Sequence, residues 1–134
     1  MILDSNVVIE FVDAEVGGPF LGRLAAITRG HDLFTNAVIF AEVASGFTAP
    51  EQVAGLFADL GLSLAQFAPA ECFRAGKAFA DYRRRGGRRD AILPDFLIGA
   101  QAAIRGWPLV TCDRKGFASY FPDLRIIDPM EPSP

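Results

Sequence analysis

Four isolated acidic residues are the part of this sequence whose types and spacing point most directly to chemistry. Each interrupts an apolar stretch at a predicted strand end, helix start or helix face: Asp4, Glu42, Asp95 and Asp113. If these carboxylates converge, each pair about 6 Å apart repels by roughly 2 to 3 kcal/mol at an effective dielectric of about 20. A fold does not tolerate such repulsion without a counter-ion. Because the set contains no His or Cys, it favours a hard cation, Mg²⁺ or Mn²⁺, over Zn²⁺.

Three of these acids also have an explanation that needs no ligand. Asp4 and Asp113 each follow an apolar run, where an aspartate starts a turn or caps the next helix. Asn6 can belong to the same cap as Asp4. Asp95 follows Pro94 at the start of a predicted helix, where the helix dipole favours an acid by about 0.3 to 1 kcal/mol. Both interpretations therefore stay open for these residues.

Glu42 is the only charged residue in the segment 37–45, which is otherwise apolar or small. A helix this apolar is mostly buried, and a buried carboxylate requires a partner or a functional reason. The alternative is that Glu42 marks a narrow solvent-facing stripe together with Ser45 and Asn36. The sequence does not decide between the two.

Strands alternate with helices along most of the chain. The predicted strands are residues 1–3, 32–35, 62–67, 109–112 and 124–127, and the predicted helices are 20–29, 36–47, 50–60, 69–84 and 94–105. This alternation predicts an α/β sandwich with a largely parallel sheet. Open sheets of this kind bind ligands at the carboxyl ends of their central strands, which is where Asp4 would lie.

The composition describes one apolar domain. The 134 residues are 51% hydrophobic and 22% charged, which excludes a disordered chain. Cys72 and Cys112 are far apart, so we expect neither a disulfide framework nor a structural zinc site. No run of eighteen apolar residues occurs, and the amino terminus lacks the basic start of a signal sequence. We therefore expect a cytoplasmic protein without a membrane segment.

Four motifs, taken in order, carry a resemblance to a known family. They are LDSN at 3–6, the lone Glu42, LPDFLIGAQA at 93–102, and LVTCDRKGF at 109–117 followed by YFPDLRIIDP. Together they resemble the PIN-domain ribonucleases, and more closely the VapC-type toxins of bacterial toxin–antitoxin pairs. The resemblance implies a single PIN-like domain at residues 1–129, a three-layer α/β/α sandwich with a mainly parallel sheet, and a short tail at 130–134.

The resemblance also implies an activity, which is cleavage of RNA that depends on Mg²⁺ or Mn²⁺. The catalytic acids would be Asp4, Glu42, Asp95 and Asp113, the metal ligands Asp4, Asp95 and Asp113, and their polar neighbours Asn6 and Thr111. Members of this family form homodimers and are silenced by an antitoxin protein that inserts into the acidic site. Some relatives carry a further acid or Asn shortly after the position of Asp113, whereas this chain has Arg114 and Lys115.

A basic tract precedes the Asp95 helix. The net charge of −3 is uneven: residues 1–73 contain nine acids and two bases, and residues 74–134 contain eleven bases and seven acids. An acidic pocket repels RNA, so we expect phosphate contacts to come from the tract: Arg83, Arg84, Arg85, Arg88 and Arg89. The alternative is that these residues form a solvated turn between two helices.

Two rival functions fit the sequence less well than the ribonuclease. Phosphatases of the haloacid-dehalogenase type require an Asp-x-Asp pair after the first strand, and Asp4-Ser5-Asn6 supplies one acid only. The other rival is a catalytically silent PIN-like module that binds RNA or a protein. Retention of four mutually repelling acids favours the enzyme, because nothing offsets their repulsion if no metal is needed.

Overall fold

Short parallel strands and helices alternate in the computed structural model, which describes residues 1–87 and 93–131. The strands are Ile2–Leu3 (β1), Leu33–Thr35 (β2), Leu62–Leu64 (β3), Leu109–Val110 (β4) and Ile126–Ile127 (β5). The helices are Ser5–Asp13 (α1), Pro19–Thr28 (α2), Ala37–Ala44 (α3), Pro50–Asp59 (α4), Pro69–Arg84 (α5), Leu93–Arg105 (α6) and Arg114–Ala118 (α7).

The sheet has the strand order β3-β2-β1-β4-β5, and the pairings in the described residues are all parallel. Ile2 of the central strand pairs with Phe34 of β2 on one side and with Leu109 of β4 on the other. The chain extends the sheet from β1 to β3 and then returns to add β4 on the opposite side of β1. The carboxyl ends of β1 and β4 therefore flank the point where strand order reverses, which is where open α/β sheets bind ligands.

Helices cover both faces of the sheet at its centre. Ile2 and Leu3 are 0% and 1% exposed, and Leu109 and Val110 are both 0% exposed. Because successive strand residues point to opposite faces, burial of both members of each pair requires packing on both sides. This pattern is typical of a parallel sheet inside a helical sandwich.

A smaller aromatic cluster holds α6 in place beside α5 and the segment after α7. Phe96 and Phe121 are buried there with Ala75 and Ala100. Gly99 allows the close approach, because a Cβ at this position would lie 2.5 Å from the Phe121 ring. The cluster fixes the helix whose first turn carries an acid.

The predicted fold class, an α/β sandwich with a parallel sheet, is confirmed. The five predicted helices are present with ends shifted by up to a few residues, and the strands are shorter than predicted. No helix was predicted at α1 or α7. The segment 5–13 is rich in β-branched and aromatic residues, which favour strands in isolation, and α7 is only five residues long. No helix in the described part of the chain is long and apolar enough to cross a membrane.

The end of the predicted domain is described as far as Glu131. Nε of Arg23 donates to the carbonyl oxygen of Pro129 at 2.7 Å, which ties this end of the chain to α2. Of the predicted tail at 130–134, residues 132–134 lie outside the described residues. The domain boundary stays a prediction.

Candidate active site at the carboxyl edge of the sheet

Asp4 is a buried acid directly after the central strand. Its side chain accepts a hydrogen bond from the backbone N–H of Ser5 at 2.8 Å, and the residue is the N-cap of α1. Asp4 is only 5% exposed. Capping therefore accounts for one oxygen of the carboxylate, and the other oxygen is turned toward the end of β4.

Thr111 and Asn6 orient that second oxygen. The Thr111 hydroxyl donates to Oδ2 of Asp4 at 2.8 Å, and Nδ2 of Asn6 approaches the same oxygen at 3.4 Å. Nδ2 of Asn6 also lies 3.2 Å from the Thr111 hydroxyl, and Oδ1 of Asn6 accepts from the backbone N–H of Cys112 at 3.2 Å. These bonds join the ends of β1 and β4 and hold the Asp4 carboxylate in one orientation.

Glu42 is half-buried on α3. Its carboxylate accepts a hydrogen bond from the Ser5 side chain, while its Oε1 is buried and has no hydrogen-bond partner among the described residues. The solvent-stripe alternative is wrong for Asn36, which is 0% exposed and bonded to Gln101. Glu42 is therefore a carboxylate at the edge of the interior with one oxygen unsatisfied.

The other two acids approach from later parts of the chain. Asp95 lies in the first turn of α6 and is half-buried. Asp113 is exposed, caps α7 and accepts from the backbone N–H of Gly116 at 3.3 Å. Its own N–H donates to the Thr111 hydroxyl at 3.0 Å, so Asp113 is linked through Thr111 to Asp4.

The pKa shifts of Asp4 and Glu42 show that the other three acids lie within electrostatic reach of Asp4. Burial raises the pKa of Asp4 above its ordinary range, hydrogen bonds from Thr111 and Ser5 oppose the rise, and the charges of Asp95 and Asp113 add to it. Burial also raises the pKa of Glu42, and the charges of Asp4 and Asp95 raise it further. The structure thus brings the predicted acids to one region, with Asp4 interacting with all the others.

The donor set fits a hydrated hard cation better than a closed protein cage. Among residues 1–87 and 93–131, no three His, Cys, Asp or Glu side chains lie close enough together to hold one metal ion. Mg²⁺ is usually bound through one or two carboxylates and keeps several waters, so it does not require such a cage. Oxygen-only donors and the unsatisfied Oε1 of Glu42 suit a cation of this kind and not Zn²⁺. The assignment of individual ligands stays a prediction.

The basic tract begins at the end of α5, near the start of α6. The ring centroids of Tyr82 and Phe96 are 5.6 Å apart, which places the last turn of α5 beside the residue that follows Asp95. Arg84 and Arg85 are exposed and each forms an ion pair of 3.3 Å with Asp81. Arg83 is also exposed and stacks over Phe79, whereas Arg88 and Arg89 lie outside the described residues.

Ser5 was not predicted as part of this region. Its backbone N–H bonds to Asp4 and its side chain to Glu42, so it connects the first two acids. The one available signal was its position directly after Asp4. A serine that follows a strand-end aspartate is equally common in turns and caps, and this ambiguity hid its contact with a residue on another helix.

Comparison with known proteins agrees with this architecture. A family model described as PIN domain matches residues 1–120. Among curated proteins, the sequence search finds no match. A chain of VapBC-1 from nontypeable Haemophilus influenzae superposes with a TM-score of 0.75 at 20% identity, covering 97% of this chain and 98% of that one.

Two further structures show the same likeness. For VapBC2 from Rickettsia felis, solved with a DNA fragment from the promoter, the TM-score is 0.73 at 17% identity, with 95% and 96% of the two chains covered. For DNA-bound VapBC from Salmonella typhimurium, the TM-score is 0.73 at 20% identity, with 96% of each chain covered. Likeness at these identities shows the fold, and the family match extends over most of the sequence. This chain therefore belongs to the PIN domain family.

Proposed function

We propose that this protein is a metal-dependent endoribonuclease that acts as the toxin of a toxin–antitoxin pair. The observation that carries the proposal is the electrostatic interaction of Asp4, at the switch point of the sheet, with the three other candidate acids, together with a buried carboxylate oxygen of Glu42 that has no partner among the described residues. Membership of the PIN domain family supports it.

In this proposal Asp4, Asp95 and Asp113 would hold Mg²⁺ or Mn²⁺, in part through water molecules of its hydration shell, and Glu42 would act beside them. When bound, the ion supplies an activated water and neutralises the charge that builds on the phosphate during in-line displacement. Thr111 and Asn6 keep Asp4 turned toward the site through their bonds to Oδ2. The raised pKa of Glu42 suits a residue that orients or deprotonates a water molecule near neutral pH.

The Arg tract would contact the RNA backbone. Arg84 and Arg85 lie at the α6 end of α5, where phosphates could pass from the tract toward Asp95. Each neutralised phosphate of a single strand contributes about 0.7 to the slope of log affinity against log salt. Because both side chains share the Asp81 carboxylate, we expect their joint replacement by Ala to reduce the slope by about 1. An unchanged slope in RNA-binding titrations would contradict this role.

The proposed partners are an antitoxin protein and a second copy of this chain. The similar structures include VapBC assemblies and a toxin–antitoxin complex from Klebsiella pneumoniae. An acidic site of this kind suits an antitoxin segment that carries a basic side chain. The RNA substrate and the antitoxin would both meet the protein in the cytoplasm.

The test is incubation of the purified, antitoxin-free protein with total cellular RNA, with and without Mg²⁺ or Mn²⁺, followed by sequencing of the cleaved ends. We expect discrete metal-dependent cuts that disappear in the Asp95→Asn variant. Asp59→Asn is the matched control, because Asp59 is an exposed acid at the end of α4. A folded wild-type protein that binds RNA and cuts nothing would support the catalytically silent module instead.

A further inference from the structure

Two fully buried amide side chains link the helix that carries Glu42 to the helix that carries Asp95. Asn36 is the N-cap of α3 and Gln101 lies in α6, and each is 0% exposed. Nδ2 of Asn36 donates to Oε1 of Gln101 at 2.8 Å. The pair is a direct polar contact between α3 and α6 in the interior of the protein.

Both amides are also held on their far sides. Oδ1 of Asn36 accepts from the backbone N–H of Ile39 at 2.9 Å, which caps α3. Nε2 of Gln101 donates to the carbonyl oxygen of Gln66 at 3.4 Å. Rotation of either amide would leave a buried donor or acceptor unsatisfied, so each amide keeps one orientation. The start of α3 is therefore fixed against α6.

The helices held by this contact carry two of the candidate acids. Glu42 lies six residues after Asn36, and Asp95 lies six residues before Gln101, a distance of about 9 Å along each helix. Apolar packing alone resists sliding of the helices weakly, because it has no direction, whereas an amide pair is satisfied in one register only.

We propose that Asn36 and Gln101 form a positioning pair that sets the separation of Glu42 and Asp95 for divalent metal binding. This inference rests on the proposed nuclease function and assigns a role to residues that lie away from the acids. Neither amide touches the substrate or the ion in this scheme. Both act through the helices that carry the carboxylates.

Two variants remove the contact from opposite sides. Gln101→Met keeps the approximate shape of the Gln101 side chain and removes its amide. Asn36→Ser keeps a side chain that can cap α3, but the serine side chain is too short to reach Gln101. Mn²⁺ affinity is measured by calorimetry on the protein alone, and kcat and KM are measured with an RNA substrate. We expect Mn²⁺ affinity and kcat to fall by about 10- to 100-fold, and KM for RNA to change by less than about twofold.

The matched control is Leu24→Val. Leu24 is a core residue of α2 and is only 5% exposed. This variant weakens the core at a helix that carries neither amide nor any of the four acids, so we expect Mn²⁺ affinity and kcat to stay at wild-type values. Equal losses in Leu24→Val would mean that general destabilisation is the cause, and would overturn the inference.

The remaining outcomes separate this inference from the proposed function. Folded Gln101→Met and Asn36→Ser proteins that bind Mn²⁺ and cleave RNA like the wild type would overturn the positioning role alone. A wild-type protein that binds Mn²⁺ and does not cleave RNA would overturn the nuclease function, while the affinity comparison would still decide the role of the pair. A wild-type protein that binds no Mn²⁺ would overturn both.

Discussion

Replacement of Glu42 by Gln should make the metal-free protein more stable. Glu42 is half-buried, one of its oxygens has no partner among the described residues, and the charges of Asp4 and Asp95 face it. Gln has nearly the same shape and can still accept the hydrogen bond from Ser5. The substitution removes a partly desolvated charge and its repulsion, and loses little in return.

The magnitude follows from this environment. Two unit charges about 8 Å apart repel by about 2 kcal/mol at an effective dielectric of about 20. Because Glu42 is partly exposed, solvent screening reduces the total from both neighbours, and we expect a gain of about 1 kcal/mol at pH 7. In thermal unfolding this corresponds to an increase in Tm of about 4 °C.

The gain should depend on pH with a definite sign. The pKa of Glu42 in the folded protein lies above its ordinary value of 4.5, so ionisation of this residue destabilises the fold. Below about pH 4.5 the carboxyl is protonated in both states, and variant and wild type should be equally stable. The difference should appear as the pH rises above 4.5 and should level off above the raised pKa.

The assay is urea unfolding in EDTA and in Mn²⁺, with the exposed Glu15→Gln as the matched control. In EDTA the Glu42→Gln protein should be the more stable one. In Mn²⁺ the order should reverse. The wild type keeps the negative charge of Glu42 and should bind the cation more tightly, and a ligand that binds only the folded state stabilises the tighter-binding protein more. A variant less stable than wild type in EDTA at pH 7 would refute the reasoning, since it would mean that Glu42 is held by favourable contacts and not against repulsion.

Two further substitutions test the parts that support the site. Thr111→Val removes the hydroxyl that donates to Asp4 at 2.8 Å and should lower the free energy of unfolding, measured with urea at pH 7, by about 2 to 3 kcal/mol. Thr111→Ser keeps the hydroxyl and should be destabilised less. Equal losses of stability in the two variants would assign the effect to packing. Gly99→Ala places a Cβ 2.5 Å from the Phe121 ring and should cost about 2 kcal/mol. The control is Gly76→Ala. Gly76 is exposed in α5 with open space around it, so this variant should gain up to about 1 kcal/mol in free energy of unfolding. A wild-type Tm for Gly99→Ala would contradict the tight packing at Phe121.

Much of the fold could be predicted because its signals are local. Prolines start α2, α4 and α5, and alternation with short apolar runs indicates a parallel sheet. The positions of Asp4 and Asp113 after predicted strands followed from the same pattern. The segment 5–13 could not be assigned in this way, because its β-branched residues become helical only when Asp4 caps the segment and Val7 and Val8 are buried in the core.

The candidate site was predictable as a set of acids and not as a set of contacts. An isolated carboxylate in an apolar stretch is visible in the sequence, so Glu42 could be singled out. Its neighbours could not be assigned, because the hydrogen bond from Ser5 joins two helices that are distant in the chain. The same holds for Asn36, for which the sequence allows a surface position and which is a buried cap bonded to Gln101.

The pairing of β1 with β4 has a consequence for synthesis of the protein. Asp4 follows β1, yet the hydroxyl that orients it comes from Thr111, 107 positions later in the chain. Contacts of such long range form late, since the intervening chain must be made and folded first. A nascent chain that ends before β4 therefore lacks half of the environment of Asp4. The site therefore reaches its working form only after synthesis has passed Thr111.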